Sequence, residues 1–133
     1  MKQTKVAILG AGFITDIHME SYHRFVPEAN VIAVYARNID KAKAFAKKYN
    51  IPQWFNNLDK LIEESGCEVV DICLPNYLHA EATLKAAAAG KHIIIEKPLA
   101  VTLEEANDMI DACKKANVKL MYAEELCFAP KYE

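Results

Sequence analysis

No apolar run in the sequence approaches the roughly 20 residues that a membrane-spanning helix needs. The N-terminal Met1 to Lys5 leads straight into a strand-like segment rather than a signal-peptide apolar stretch, so a cytoplasmic location is expected. An excess of either charge is missing too: 16 Lys and Arg stand against 18 Asp and Glu, a formal net charge of −2, interleaved so that no basic stripe forms. On those electrostatics nucleic acid and anionic membrane are poor partners. Cys67, Cys73, Cys113 and Cys127 are widely scattered and include no Cys-x-x-Cys pair. That spacing argues against a zinc site and against a disulfide framework, so no metal site is expected and the thiols are read as reduced and mainly buried. There is no repeat, linker or low-complexity segment, and 133 residues is one domain's worth of chain, enough to bury about two-thirds of its unfolded surface.

What is present begins with Val6 to Leu9, a short branched apolar run that suits a strand buried on both faces of a parallel sheet. It stops at Gly10 and Gly12. Gly10 permits a tight turn, Gly12 offers no side chain where a pyrophosphate must approach the backbone, and a helix opening at Phe13 and Ile14 points free N–H groups at that phosphate. Thr15 stands where this fingerprint usually has Gly or Ala, and a branched residue there is expected to hold the helix slightly farther from the strand. An ordinary strand–turn–helix without a ligand is the plainer alternative.

Further along, Ile14, Ile17, His18 and Tyr22 lie at helical spacings, and Val31 to Tyr35 reads as a second strand. Asn38 can cap a helix with Ala42, Phe45, Ala46 and Tyr49 inward. A short strand at Gln53 to Phe55 precedes a brief helix capped at Asn56 or Asn57, with Leu58, Leu61 and Ile62 inward. Val69 to Leu74 predicts a fourth strand, Tyr77 to Ala89 an alanine-rich helix ended by Gly90, and His92 to Ile95 a fifth strand. Thr102 opens a capping-box-like helix with Leu103, Ala106, Ile110 and Cys113 on one face, and Val118 to Tyr122 is a sixth strand. This alternation predicts an α/β fold, a doubly wound Rossmann sheet of six mostly parallel strands in the order 3-2-1-4-5-6 with helices on both faces. Ligands then belong at the carboxyl ends of the strands. The expected division is a dinucleotide-binding domain over residues 1–123, with residues 124–133 opening a connection to a further part of the protein.

Two strand ends carry the chemistry. After the second strand, where an Asp or Glu would hold the adenosine ribose hydroxyls, the sequence has Ala36, Arg37 and Asn38. Without the acid, and with a guanidinium able to grip phosphate through two hydrogen bonds, NADP(H) is preferred, with NAD(H) the other candidate. Arg37 stacking on adenine or facing solvent is the plainer reading. After the fifth strand, Glu96, Lys97 and Pro98 place charge directly beyond a buried segment. Lys97 could exchange a proton or stabilise an alkoxide as a fixed cation, Glu96 could orient it, and Pro98 would fix the backbone direction, by a cis bond as one option. A surface ion pair ending a strand is the alternative.

Taken together, Gly10-x-Gly12 with His18, Pro75-Asn76 with His79, Ala89 to His92, Glu96-Lys97-Pro98-Leu99 and Glu105-Ala106 resemble, in order and spacing, the N-terminal half of the glucose-fructose oxidoreductase and inositol dehydrogenase family. The resemblance spans almost the whole chain. It implies hydride transfer between a nicotinamide cofactor and a hydroxyl or carbonyl of a sugar, cyclitol or related polyol. It implies that Lys97 stands beside the reacting oxygen as the catalytic residue, and that Asn76, His79, Glu96 and Lys97 itself lie at the nicotinamide end as cofactor contacts, with Leu74 on the strand end beside them. Phe13 and Ile14 would give N–H groups to the pyrophosphate. For His79 alone a helix-start hydrogen bond is the simpler reading, and His18 reads as a packed helix residue. The family often has Asn and Arg where Glu125 and Cys127 stand here, so local contacts there are expected to differ. A second domain supplying most substrate contacts and the usual homo-oligomer interface is also implied. The 133 residues are then expected to bind cofactor with little turnover alone. A non-enzymatic nucleotide sensor or scaffold is the rival from another class, and a methyltransferase with a similar glycine turn lacks support from Glu96-Lys97-Pro98.

Overall fold

The structure, a computed structural model, describes residues 2–123. Its elements run β1 (Thr4–Leu9), α1 (Phe13–Phe25), β2 (Ala29–Tyr35), α2 (Ile39–Tyr49), β3 (Gln53–Phe55), α3 (Leu58–Glu64), β4 (Val69–Ile72), α4 (His79–Ala88), β5 (His92–Glu96), α5 (Leu103–Ala116) and β6 (Leu120–Ala123). The six strands pair in parallel in the order β3-β2-β1-β4-β5-β6, the doubly wound order that the strand–helix alternation predicts.

The strand period of two sorts the core onto the two faces of this sheet. Ala7 and Leu9 of β1, Val70 and Ile72 of β4, and Ile93 and Ile95 of β5 pack against Leu61, Ile62, Ala82, Ala86, Met109 and Cys113 from α3, α4 and α5. Ile8 and Val34 turn the other way, onto Met19 of α1 and Phe45 and Ala46 of α2. Each fully buried Leu or Ile here contributes roughly 1.5–3 kcal/mol of transfer free energy. Register places Asp71 beside Ile8, so this acid faces α1 inside the second layer, with no exposed surface at all.

Local sequence sets the helix ends. Asn38 accepts from the N–H groups of Asp40 and Lys41, Asn57 from Lys60, and Thr102 from Glu105, so α2, α3 and α5 start on side-chain caps. Glu105 completes its box one residue early, its Oε2 accepting from the Val101 N–H at 3.1 Å. Asn50 and Asn117 end α2 and α5 in the left-handed region, at φ 56° and 55°.

The inward faces of two helices differ from the periodicity reading. In α1 the buried residues are Thr15 and Met19, while Ile14 and Ile17 are exposed. In α5 Met109 and Cys113 are buried and Ala112 and Ala116 pack beside them, whereas Leu103 is 80% exposed. Both segments carry apolar residues on more than one face, and packing against the sheet chose the narrower or more flexible side chains. The expected helix from Tyr77 is instead a 3-10 turn, Asn76–Leu78, followed by α4 from His79. β4 is shorter than expected and β6 begins two residues later, while β1 and β2 begin two residues earlier than predicted. Cys67 and Cys113 are buried and Cys73 is half-buried, all three free thiols; Cys127 lies outside the described residues. Among the described residues no helix is long and apolar enough to cross a membrane.

Candidate functional site

The β1–α1 turn is built around Gly10, whose φ of +117° is a conformation that L side chains rarely adopt. A Cβ there would stand 2.7 Å from the Cys73 carbonyl oxygen and 3.2 Å from Thr15 Oγ1. Thr15 is itself completely buried at this contact. Its extra bulk is therefore taken up by the missing side chain of Gly10, which explains how a branched residue fits where small ones are usual. Gly12 behaves differently: it is the N-cap of α1 at φ −102°, and a Cβ on it would meet nothing within 4 Å. No side chain caps α1, so its first N–H groups face the open side of the turn.

That open side is a cleft of about 820 Å³ at the carboxyl ends of β1, β2 and β4. Gly10, Gly12, Phe13 and Ile14 form one wall, Ala36, Arg37 and Lys41 a second, and Leu74 and Tyr77 a third. It lies where the strand order reverses between β1 and β4, the switch point at which such sheets bind ligands. The free end of α1 and the two cations favour anions there. Asp16, an acid in the first turn of α1 that would oppose an anion, is engaged from α2 by Tyr49 Oη at 2.6 Å and Lys48 Nζ at 2.9 Å. The Tyr49 hydrogen bond and the Lys48 ammonium hold its carboxyl below the usual range. Lys41 was not among the predicted site residues; its position one turn into the helix capped by Asn38, on the side of Arg37, was the signal available.

Seven predicted residues thus meet at the cleft wall: Gly10, Gly12, Phe13, Ile14, Ala36, Arg37 and Leu74. Four do not line it. Asn76 is exposed at the start of the 3-10 turn. His79 is completely buried, and its Nε2 donates to the Leu74 carbonyl at 2.9 Å. What this imidazole brings to the cleft is the position of the Leu74 backbone, the helix-start role. Glu96 and Lys97 stand at the end of β5, beside β4, where Glu96 Oε2 accepts from the Lys97 backbone N–H at 3.1 Å. Lys97 is exposed, and the Lys97–Pro98 peptide bond is cis.

A half-buried polar cluster around the fully buried Asp71 joins these elements, and sequence reading missed it. His18, read above as a packed helix residue, places Nδ1 2.7 Å from Asp71 Oδ2 and Nε2 2.8 Å from Glu96 Oε1. Tyr22 donates to the same Asp71 oxygen at 2.7 Å. Burial opposes charge on His18, but the hydrogen bonds and charges of Asp71 and Glu96 outweigh it and lift its pKa to about 9. Burial, reinforced by Asp71, pushes the Tyr22 phenol and the Cys73 thiol up, so both stay protonated. Donor atoms of His18, Asp71 and Cys73 lie within 4.8 Å of one another, as metal ligands would. The 2.7 Å and 3.4 Å separations are those of hydrogen-bonded pairs, and a charged imidazole beside a protonated thiol offers a cation few lone pairs. The signal for this cluster was one acid, Asp71, inside an otherwise apolar strand.

Because the His18 pKa is raised above the roughly 6.5 of an unfolded histidine, its stabilisation is fully present below that pH and is lost as pH rises through about 9. Urea midpoints measured from about pH 6 to 10 are expected to fall across this window by on the order of 2–3 kcal/mol of stability, and a His18→Asn variant to flatten the fall.

A parallel sheet in this order, with a glycine turn and an uncapped helix at its switch point, defines a dinucleotide-binding Rossmann domain. Comparison with known proteins agrees. The family model described as oxidoreductase family, NAD-binding Rossmann fold, matches residues 4–124, and the chain belongs to that family. It is 34% identical over 129 residues to the scyllo-inositol 2-dehydrogenase (NADP(+)) IolU of Bacillus subtilis, covering 97% of this chain and 39% of that protein. It is 35% identical over 118 residues to the D-glucoside 3-dehydrogenase of Escherichia coli, covering 89% and 34%. The crystal structure of an NAD binding oxidoreductase from Klebsiella pneumoniae superposes with a TM-score of 0.91 at 30% identity, covering 98% of this chain and 36% of the other. The chain spans between 31% and 39% of the length of the first curated relatives it matches.

Proposed function

We propose that this chain is the dinucleotide-binding part of an oxidoreductase that transfers hydride between NADP(H), in preference to NAD(H), and a hydroxyl or carbonyl of a sugar, cyclitol or related polyol. The observation that carries the reading is the cleft itself. Gly12 leaves open space beside the free N-terminus of α1, room for a pyrophosphate, and Arg37 with Lys41 stands at the end of β2 where an acid would select against a 2′-phosphate. The names of the Bacillus subtilis and Escherichia coli relatives support the substrate class, and that of the former supports NADP(H).

In this reading the bound nicotinamide supplies the hydride chemistry. Gly10 and Gly12 admit the pyrophosphate, Phe13 and Ile14 donate N–H groups to it, Ala36 and Arg37 take the adenosine end, and Leu74, Asn76 and His79 shape the approach to the nicotinamide end. Lys97 is the catalytic residue, its Nζ holding or moving the proton of the reacting oxygen, and Glu96 orients it. Residues 124–133, including Glu125 and Cys127, lie outside the described residues; they would lead to a second domain that completes the substrate site and the oligomer interface, so the 133 residues alone bind cofactor with little turnover. Titration with NADPH and NADH tests the cofactor part. Tighter NADPH binding is expected, and Arg37→Ala should cost NADPH roughly 1.5–3 kcal/mol, tenfold or more in Kd, while barely changing NADH. Equal or tighter NADH binding by the unmodified chain would overturn the preference.

A further inference from the structure

His18 does not line the cleft, yet both of its ring nitrogens are committed. A neutral imidazole has one N–H, so one of its two carboxylate contacts, at 2.7 and 2.8 Å, would set a lone pair against an oxygen; the imidazolium donates both. Asp71 is held as the acceptor, because Tyr22 Oη donates to its Oδ2 at 2.7 Å and the Cys73 thiol faces its Oδ1 at 3.6 Å. Glu96 is also used twice, Oε1 by His18 and Oε2 by the Lys97 backbone N–H. The contacts therefore run from β4, through a side chain of α1, to the end of β5 and the Lys97 main chain. α1 is the same helix whose N-terminus opens on the cleft.

We propose that His18 is a positioning residue, clamping the ends of β4 and β5 through Asp71 and Glu96 and thereby fixing the Lys97 backbone relative to a dinucleotide held by the first turn of α1. The positioning role rests on the reading of Lys97 as the catalytic residue. Among the described residues, the ionisable groups facing the ring are Asp71 from β4, Glu96 from β5 and Cys73 beyond β4, with Tyr22 of α1 behind Asp71. The two acids keep the ring charged to about pH 9, so the clamp holds at neutral pH and opens above that value. A ring that has lost its proton presents a lone pair to one carboxylate and releases one end of the chain of contacts. Misplacing a reacting group by about 1 Å is enough to cost a hundredfold in rate.

The test has two arms. In 15N NMR of the wild-type chain from about pH 6 to 10, both His18 ring nitrogens are expected to be protonated at neutral pH, and the Lys97 amide to shift with the His18 midpoint near 9. In the full-length polypeptide, His18→Asn retains a donor for Asp71 but does not reach Glu96. It is expected to lower kcat roughly 10–100-fold with the KM for the dinucleotide unchanged, and His18→Gln, which reaches farther, to recover part of the loss. A Lys97 amide indifferent to the His18 titration, or wild-type kcat in His18→Asn, overturns the clamp while leaving hydride transfer standing. Co-titration in a wild-type polypeptide that transfers hydride neither from a sugar or polyol hydroxyl to NADP+ nor from NADPH to the corresponding carbonyl supports the clamp and overturns the hydride-transfer reading instead.

Discussion

A Gly10→Ala variant is expected to lose roughly 2–5 kcal/mol of folding stability, from backbone strain together with overpacking. In a domain of this size that lowers the melting temperature by about 10 °C. The left-handed φ of +117° strains any side chain, and the new methyl would press on the Cys73 carbonyl at 2.7 Å and the buried Thr15 hydroxyl at 3.2 Å. Both neighbours belong to packed backbone or core, so neither can swing aside. Gly12→Ala is the instructive contrast. Its φ is ordinary and its Cβ meets nothing, so stability should fall by no more than about 1 kcal/mol, the loss of a favourable N-cap residue. Yet that methyl would fill the space assigned to the pyrophosphate, and NADPH affinity should drop roughly tenfold or more, about 1.4 kcal/mol. Thermal melts and calorimetric titration of the two variants read both effects. A Gly10→Ala melt indistinguishable from wild type would contradict the packing described for the turn.

Lys97→Ala in the full-length polypeptide is expected to reduce turnover roughly 10²–10⁴-fold, the range associated with losing a positioned proton-transfer group. Nucleotide binding and stability should hardly change. The Lys97 side chain is exposed, outside the cleft wall, and its one hydrogen bond among the described residues uses the backbone N–H, which alanine keeps. Exposed substitutions of this kind usually stay within about 0.5 kcal/mol. Steady-state rates of NADP+ reduction with a panel of polyols and sugars, and of NADPH oxidation with the corresponding carbonyl compounds, decide the matter, and near-normal turnover would remove Lys97 from the catalytic role.

The features legible in the sequence are those that local chemistry imposes. Strand–helix alternation predicts the sheet order; Asn38, the pair Asn56 and Asn57 (of which Asn57 is the cap) and Thr102 mark three helix starts; the Gly10–Gly12 turn marks the cleft. What escaped depends on which side of an element meets the sheet. In α1 the helical spacing of Ile14, Ile17, His18 and Tyr22 does not say which side meets the sheet; the helix begins at the cleft, so Phe13 and Ile14 turn toward the ligand space and Thr15 and Met19 go inward. Asp71 is an acid in an otherwise apolar strand, but only register sets it beside Ile8, facing His18 and Tyr22 of α1. For His79 the residue alone favours a helix-start hydrogen bond, and only the family resemblance points to a cofactor contact. Its complete burial beneath Leu74 is a tertiary fact that no local pattern contains.

Whether the glycine-turn cleft takes the dinucleotide is read by amide chemical-shift mapping of the 15N-labelled chain with added NADPH. Binding there predicts the largest shifts at Gly10, Gly12, Phe13, Ile14, Arg37, Lys41 and Leu74, with the far ends of the strands unmoved. Saturable shifts centred on another surface, or none at millimolar NADPH, would contradict it.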